Sequence, residues 1–374
     1  MPCTAPVDET VALLKLLRLE PGNGVRLSAR LYAAASARGA LGTHARRVAA
    51  AQIEADLAWL DAPQRRLLSI LDSDYPPQLK ASAQAPAILF VEGDPLVLWQ
   101  PQVAIVGARR ATAGGIANAR MFAYALARSG LAITSGLAEG IDSAAHQAAL
   151  DAQRPTIAVC GTGLATVFPR RHVELARRIA STGALVSEFP PHTPPRASHF
   201  PRRNRIIAGL SLGTLVIEAS IRSGSLITAR LAAEQGREVF AIPGSIHSPL
   251  ARGCHRLIRE GAHLVEGTAE LLAELAPLAH AQGHAISAQL DAAAAPSGSV
   301  QPIDATARTV LRALGHDPLD VDQLIERSAL HPSQVAAALT VLEIEGQIER
   351  LHGGQFQALG GPARRTVARA SAGS

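Results

Sequence analysis

Residues 103–110 have the sequence VAIVGARR, an uninterrupted apolar run that ends in a glycine and two arginines. Such a run followed by glycine is typical of a buried parallel strand at the start of a βαβ unit. Further short apolar runs, separated by helical patterns, lie at residues 132–135, 156–160, 184–187, 214–217 and 238–241. We therefore predict an α/β fold whose core is a Rossmann-like, doubly wound parallel sheet.

The segment before this core has a helical pattern. Residues 10–70 are rich in Leu and Ala at helical spacing, which predicts an all-helical N-terminal domain over residues 1–74. Residues 19–25, LEPGNGV, resemble the turn of a helix-hairpin-helix, whose backbone amides can bind phosphate. An ordinary corner between two helices explains this turn about as well. The core is expected to occupy residues 75–280.

The segment after the core is predicted to contain a linker, a small domain and a tail. Residues 281–303 include an Ala-, Pro-, Ser- and Gly-rich run, which is typical of a flexible linker. Three helical patterns and a hairpin pattern predict a winged helix over residues 304–360. A DNA-reading helix normally presents Arg or Lys, and residues 333–345 contain neither, so we expect this domain to serve protein contact or regulation. Residues 361–374 are predicted to be a disordered tail.

Composition narrows the functional classes. Hydrophobic residues make up 48% of the 374 residues and charged residues 18%, which excludes a wholly disordered chain and fits two or three domains. Aromatic residues are only 3%, so a nucleic-acid site would rely mainly on charge and backbone donors. Residues 101–270 contain 19 Arg, no Lys and 11 acidic residues, whereas residues 304–360 contain four Arg and eight acidic residues. The middle of the chain is therefore expected to bind an anion.

Cysteine usage indicates the compartment. Cys3, Cys160 and Cys254 are widely spaced and form no metal or redox motif, which favours a reducing environment. The apolar run at residues 11–17 is short and interrupted by Lys15, so it predicts neither a signal peptide nor a membrane span. We expect a cytoplasmic protein with no membrane partner. The histidine spacing matches no zinc pattern, so we expect no metal and no cofactor.

Flexible backbone and positive charge recur at the ends of four predicted strands. Glycine frees backbone N–H groups to face an anion, and a helix start can receive phosphate. Each loop alone is weak support, since glycines are common at strand ends, but their recurrence beside arginines indicates an extended anion. The residues are Gly107, Arg109 and Arg110 after the first strand, Ser135 and Gly136 after the second, Gly161, Gly163, Arg170 and Arg171 after the third, and Ser223, Ser225 and Arg230 after the fifth.

A window without acidic residues extends from Glu188 to Glu218. At its centre lies a basic segment made of Arg202, Arg203, Asn204 and Arg205. Three exposed guanidiniums this close repel one another, so phosphate neutralisation explains them, although a solvated helix start does so equally well. We expect Asn204 and the apolar residues 206–210 to anchor the segment. This leaves Arg202 and Arg203 as its exposed, phosphate-binding positions.

Two enzymatic interpretations are disfavoured by the motifs. A dinucleotide site needs G-x-G-x-x-G and an acidic residue for the ribose, but Arg109 stands beside the turn and no acid occurs between Val106 and Glu139. Ser135, Asp142 and His146 suggest a hydrolytic triad, but no nucleophile elbow surrounds the serine. A structural role for Asp142 in the first turn of a helix is favoured.

Six stretches together resemble the DprA/Smf family, the DNA-processing protein of natural transformation. They are VGAR at residues 106–109, SGLAEGID at 135–142, HQAAL at 146–150, FPRRNRIIAGLS at 200–211, SGSLITA at 223–229 and VFAIPG at 239–244. The resemblance implies a Rossmann-like core that binds and protects single-stranded DNA, helps to load the recombinase RecA, and has no catalytic turnover. It also implies a homodimer formed through the core, with RecA contact near that face. Arg109, Arg170 or Arg171, and Arg202 or Arg203 are the implied DNA contacts.

The sequence departs from the family pattern at three places. Thr112 and Gly114-Gly115 stand where the family has a serine and an aromatic-glycine pair, His172 replaces an asparagine, and Cys254-His255 replaces Thr-Asn. An alternative function comes from a more distant resemblance to the lysine-decarboxylase-like phosphoribohydrolases. Residues 213–218, GTLVIE, are similar to their glutamate-bearing segment, but Glu218 lies one residue later, which points it to the opposite face of a strand.

Overall fold

The computed structural model describes residues 7–19, 24–41, 48–294, 305–314, 319–344, 348–350 and 355–358. The chain divides into two compact units at residues 290 and 291, and each is described by itself. In the described residues, no helix is both long enough and apolar enough to cross a bilayer.

A nine-stranded sheet forms the centre of the first unit. Its strands are β1 (Arg65–Ser69), β2 (Ile88–Gly93), β3 (Gln102–Val106), β4 (Ala132–Ser135), β5 (Thr156–Val159), β6 (Ala184–Ser187), β7 (Gly213–Val216), β8 (Glu238–Ala241) and β9 (His263–Leu264). The spatial order is β1-β2-β6-β5-β4-β3-β7-β8-β9. In this spatial order, all neighbouring strands from β6 through β9 pair in parallel. At the other edge, β2 pairs antiparallel with both β6 and β1. The six predicted strands are confirmed, each within about one residue at its ends.

Helices cover both faces of the sheet, as a doubly wound fold requires. They are α5 (Pro77–Lys80), α6 (Ala113–Arg128), α7 (Ile141–Asp151), α8 (Val173–Thr182), α9 (His199–Leu210), α10 (Gly224–Glu234), α11 (Arg252–Arg259) and α12 (Thr268–Ala294). Along β3, Val103 and Ile105 enter one hydrophobic cluster, while Ala104 and Val106 enter the other. The uninterrupted apolar run therefore reflects burial on both faces.

The prediction of an all-helical segment over residues 10–70 is wrong at its end. Helices α1 (Val7–Leu19), α2 (Gly24–Ala34), α3 (Ala37–Leu41) and α4 (Ala50–Leu60) are followed by β1, which pairs with β2 from Arg65↔Glu92 to Ser69↔Ile88. The open edge of β2 supplies backbone partners that override the local helical preference of Arg and Leu. Most of the proposed helix-hairpin-helix turn, residues 20–23, lies outside the described residues.

The predicted linker at residues 281–303 is also wrong over its first half. Helix α12 continues to Ala294, because alanine has the highest helix propensity and residues 292–294 prolong the helix.

The second unit has the predicted winged-helix order. Its helices α13 (Ala305–Leu314), α14 (Val321–Ser328) and α15 (Pro332–Ile344) precede an antiparallel pair, β10 (Ile348–Arg350) and β11 (Phe356–Ala358). A separate hydrophobic cluster that includes Val310, Leu324 and Leu339 holds this unit together. The turn of the predicted hairpin, between β10 and β11, and the predicted tail at residues 361–374 lie outside the described residues.

Candidate nucleic-acid interface

A cleft of about 680 Å³ opens at the carboxyl ends of the parallel strands. The strand order changes direction between β3 and β7, and ligands of doubly wound sheets bind at such a switch point. Its walls come from the loops after β3, β4, β5, β6 and β7 and from helices α9 and α10. The lining residues include Gly107, Arg109, Ala138, Asp142, Phe168, Arg196, Phe200, Arg203, Asn204, Ser223, Ser225 and Thr228.

Arg109 is the exposed cation at the end of β3. Its guanidinium carbon lies 5.7 Å from the ring centroid of Phe200, within the range of a cation–π contact. The Phe168 ring lies 5.6 Å from that of Phe200, and Phe168 is 43% exposed. A positive charge and two aromatic rings therefore share one wall of the cleft.

The Arg109 loop is held by a close approach at Gly140. This glycine has φ +77°, and a Cβ there would lie 2.3 Å from the Ala108 carbonyl oxygen and 2.6 Å from that of Arg109. Only glycine adopts this conformation at low cost and leaves room for the neighbouring backbone. The β4–α7 loop thus fixes the position from which Arg109 extends.

Arg203 is buried rather than exposed, contrary to the prediction. It is 4% exposed and donates to the carbonyl oxygens of Gly136, at 2.7 Å, and Val159. Within α9 it shares the inward face with Ile206, Ile207 and Leu210, at helical spacings of three, four and seven. The guanidinium ties the ends of β4 and β5 together beneath the cleft.

Asp142 lies beside this buried guanidinium. Its carboxylate accepts from the backbone N–H of Gly136 at 3.2 Å and of Ala138 at 3.3 Å. Burial raises the pKa of Asp142, and the charge of Arg203 opposes that rise. The residue stands in the first turn of α7, where it closes the preceding loop, so the structural role favoured by the sequence is confirmed.

Ser135 and His146 have hydrogen-bond partners elsewhere. The Ser135 hydroxyl donates to the Ile105 carbonyl oxygen at 2.6 Å, and His146 Nδ1 lies 2.7 Å from Thr156 Oγ1. Burial lowers the pKa of His146 to about 3, which keeps the ring neutral. These contacts do not assemble a serine–histidine pair.

Arg202 and Arg205 share a buried acidic partner, Glu188. The carboxylate is 3% exposed, and its Oε2 accepts from Arg202 at 2.7 Å and also from Arg205. The Arg202 guanidinium carbon lies 5.2 Å from the ring centroid of Phe189. Burial lowers the pKa of Arg205, whereas Glu188 acts in the opposite direction. The expectation of three exposed, mutually repelling guanidiniums is therefore wrong, because two are paired with Glu188 and the third is buried.

Glu218, the carboxylate of the alternative enzymatic interpretation, binds Thr112, the N-cap residue of helix α6. It accepts from the backbone N–H of Thr112 at 2.9 Å and from its hydroxyl at 2.6 Å. A Cβ at Gly115 would lie 2.5 Å from the Glu218 carboxyl carbon. Gly115 is one of the positions at which the sequence departs from the family pattern, and the Glu218 side chain occupies the space beside it. Glu218 does not line the cleft.

The other two departures also find backbone partners. His172 Nδ1 lies 2.9 Å from the Leu137 carbonyl oxygen, and His255 Nε2 lies 3.0 Å from that of Gly244. The Cys254 thiol is buried against the carbonyl oxygens of Val216 and Ile217. Over the described part of the chain, no three His, Cys, Asp or Glu side chains group as metal ligands.

Comparison with known families decides the assignment. The family model for DNA recombination-mediator protein A matches residues 66–276, and that for the DprA winged helix domain matches residues 291–354. The chain belongs to the DNA recombination-mediator protein A family. The resemblance to the DprA/Smf family is confirmed.

Known relatives of the family extend the match. Protein Smf of Escherichia coli is 45% identical over 303 residues, covering 81% of this chain and 80% of the relative. The DNA processing protein DprA of Streptococcus pneumoniae is 48% identical over 206 residues, covering 55% and 73%.

Two solved structures of the family share the fold. The X-ray structure of S. pneumoniae DprA has a TM-score of 0.59 at 39% identity and covers 71% of this chain and 93% of that one. Helicobacter pylori DNA processing protein A, whose single-stranded DNA binding mode is described, has a TM-score of 0.52 at 28% identity and covers 57% and 96%.

Within this family fold, the cleft brings together some of the predicted site residues. Those that line it are Gly107, Arg109, Arg203, Asn204, Ser223 and Ser225. Asn204 donates to the Gly224 carbonyl oxygen at 3.3 Å, and Ser223 caps α10. The loops after β3 and β7 and the helix α9 therefore do converge, as predicted.

Other predicted residues lie outside the cleft lining. Gly161 and Gly163 have packing roles, since a Cβ would lie 2.8 Å from the Phe200 ring and 2.1 Å from the Pro190 carbonyl oxygen, respectively. Arg171 pairs with Glu139, and Arg230 lies 3.4 Å from Glu234 in a separate groove. The other predicted site residues that do not line the cleft are Arg110, Ser135, Gly136, Arg170, Arg202 and Arg205.

The lining residues that were not predicted include Phe168, Arg196, Phe200 and Thr228. For two of them, Phe168 and Phe200, the sequence contains a pattern from which a role in the cleft could have been predicted. Only seven phenylalanines occur in the chain, and both Phe168 and Phe200 stand directly before proline and close to arginine pairs. Scarce aromatics beside the basic segments indicate stacking positions, although the low overall aromatic content suggested none.

Proposed function

We propose that this cleft binds single-stranded DNA. The observation that carries the proposal is the arrangement of the exposed Arg109 guanidinium beside Phe200 and Phe168 in one open cleft. Cations and hydroxyls can hold phosphates, while aromatic faces stack on bases that are unpaired. The H. pylori relative with a described single-stranded DNA binding mode supports this assignment.

Phosphate contacts in the cleft are assigned to three kinds of group. Arg109 and Arg196 supply exposed guanidiniums, and Ser223 and Ser225 supply hydroxyls at the start of α10. A helix start adds partial positive charge and free backbone N–H groups. Arg203 contributes its field from beneath while its hydrogen bonds go to the protein framework.

We propose that binding occurs without catalytic turnover. The candidate catalytic groups are engaged structurally, with Glu218 bound to the N-cap residue of α6, Asp142 closing a loop and His146 buried in its neutral form. The alternative is a phosphoribohydrolase, which needs a free carboxylate in the cleft. Incubation of the protein with AMP distinguishes the two, because release of free adenine would support the enzyme and contradict the binding protein.

The cellular role follows from the family. We propose that the protein protects incoming single strands in the cytoplasm, helps to load RecA and forms a homodimer through its core. The winged-helix unit is proposed to contact protein, since α15 carries no Arg or Lys.

The experiment is a titration of the full chain with fluorescent oligonucleotides across a salt series. We expect single strands to bind more tightly than duplex of the same length, with affinity that falls steeply as salt rises. Preference for duplex, or a salt-independent affinity, would overturn the assignment.

A further inference from the structure

Glu188 is a buried carboxylate that the proposed DNA contacts do not use, and its partner Arg202 stands between Pro201 and Arg203, which line the cleft. It is 3% exposed, and among the described residues its Oε1 has no hydrogen-bond partner. Its Oε2 takes both Arg202 and Arg205. A carboxylate that pairs with an arginine lowers the positive charge that this arginine can offer to a phosphate.

The two arginines differ in how firmly they are held. The Arg205 side chain is 11% exposed and also donates to the Gln84 carbonyl oxygen, so it is fixed on the framework side. The Arg202 side chain is 25% exposed, and Glu188 is its hydrogen-bond partner. Arg202 can therefore exchange a carboxylate for a phosphate, whereas Arg205 remains as the permanent partner of Glu188.

We propose that Glu188 limits the affinity of the site for single-stranded DNA by holding Arg202 in an ion pair that competes with phosphate for its guanidinium. The inference rests on the proposed function of the cleft. Arg202 then acts as a conditional phosphate ligand, and Glu188 sets how much of its charge is available. Limited affinity suits a protein that must hand its strand to another protein.

The test is a double-mutant cycle on the full chain, read by fluorescence anisotropy with a poly-dT oligonucleotide over a salt series. Glu188→Gln keeps the shape and removes the charge. We expect affinity to rise on the order of threefold, because the Arg202 guanidinium then gains one partly exposed pairing with phosphate. The slope of log affinity against log salt should steepen by about 0.7, the value for one added single-strand phosphate contact.

Arg202→Ala completes the cycle. In the Glu188→Gln background, Arg202→Ala should abolish the whole gain in affinity and in salt slope. In the wild-type background, Arg202→Ala should change the salt slope by less than half of its change in the Glu188→Gln background. Equal effects of Arg202→Ala in both backgrounds, or an unchanged slope in Glu188→Gln, would overturn the proposal. If Glu188→Gln does not fold, Arg202→Ala is tested alone. A decrease of about 0.7 in its salt slope would show a full phosphate contact in the wild-type protein and would overturn the proposal.

Glu92→Gln is the matched control. Glu92 pairs with Arg65 at 3.3 Å across β1 and β2, has 16% of its side chain exposed, and does not line the cleft. Removing its charge changes net charge equally but should leave the slope unaltered. Absence of single-strand binding by the wild-type protein would contradict the proposed function instead, so the two failures are distinguishable.

Discussion

At Arg203, a charged side chain supports the cleft from within. Its guanidinium joins two strand ends and faces Asp142, so it acts as part of the framework. The prediction that Arg203 lies at the cleft is correct, but the prediction that its side chain is exposed is wrong. The reason is that adjacent arginines in a helix point about 100° apart, and only the register of α9 decides which one turns inward.

Arg203→Ala is expected to destabilise the fold. It leaves two carbonyl oxygens and a carboxyl group without their partner, at a cost of about 3 kcal/mol. Urea denaturation measures this loss, with Arg202→Ala as the matched control because its side chain is partly exposed. A loss no greater for Arg203→Ala than for Arg202→Ala would refute the framework role.

His146 predicts a pH dependence of stability. Its pKa is about 3 in the fold, so between that value and about 6.5 the unfolded chain binds the proton and the folded chain does not. Stability therefore falls as pH drops through this window, by about 2 kcal/mol for this group between pH 7 and pH 5. Denaturation of His146→Gln at both pH values should show a correspondingly smaller difference, and an unchanged difference would count against the assignment.

At the scale of elements, burial on both faces made the central strands predictable. Runs such as residues 103–106 have no other stable placement, and the periodicity of α9 likewise marks a half-buried helix. Strand β1 lacks such a pattern, because its pairing depends on β2, which is distant in sequence. Phe168 and Arg196 escaped prediction for a related reason, since loop positions acquire a role only when the fold brings them together.

The close approach at Gly140 gives an element-scale prediction. Gly140→Ala should destabilise the protein by more than about 2 kcal/mol and weaken single-strand binding, because the β4–α7 loop must move away from Arg109. Gly130→Ala is the control, since Gly130 also has positive φ, +95°, but has nothing within 4 Å of a Cβ. Thermal unfolding and anisotropy of both variants decide the matter, and equal losses would exclude a role for the contact.

At the scale of the whole molecule, two units with separate cores carry different charge. The first contains the proposed cleft, and the second has no basic residue on α15. We expect a chain ending at residue 290 to retain the single-strand affinity and salt slope of the full chain. Loss of more than about tenfold in affinity would show that the winged-helix unit takes part in DNA binding.

The central claim is that Arg109 binds phosphate within the cleft, and the comparison of Arg109→Ala with Arg110→Ala tests it most directly. Both side chains are exposed and adjacent, but only Arg109 lines the cleft. In salt-dependent anisotropy titrations, Arg109→Ala should weaken single-strand binding on the order of tenfold and reduce the slope by about 0.7, while Arg110→Ala changes neither appreciably. Equal effects of the two substitutions, or no effect of Arg109→Ala, would contradict the account.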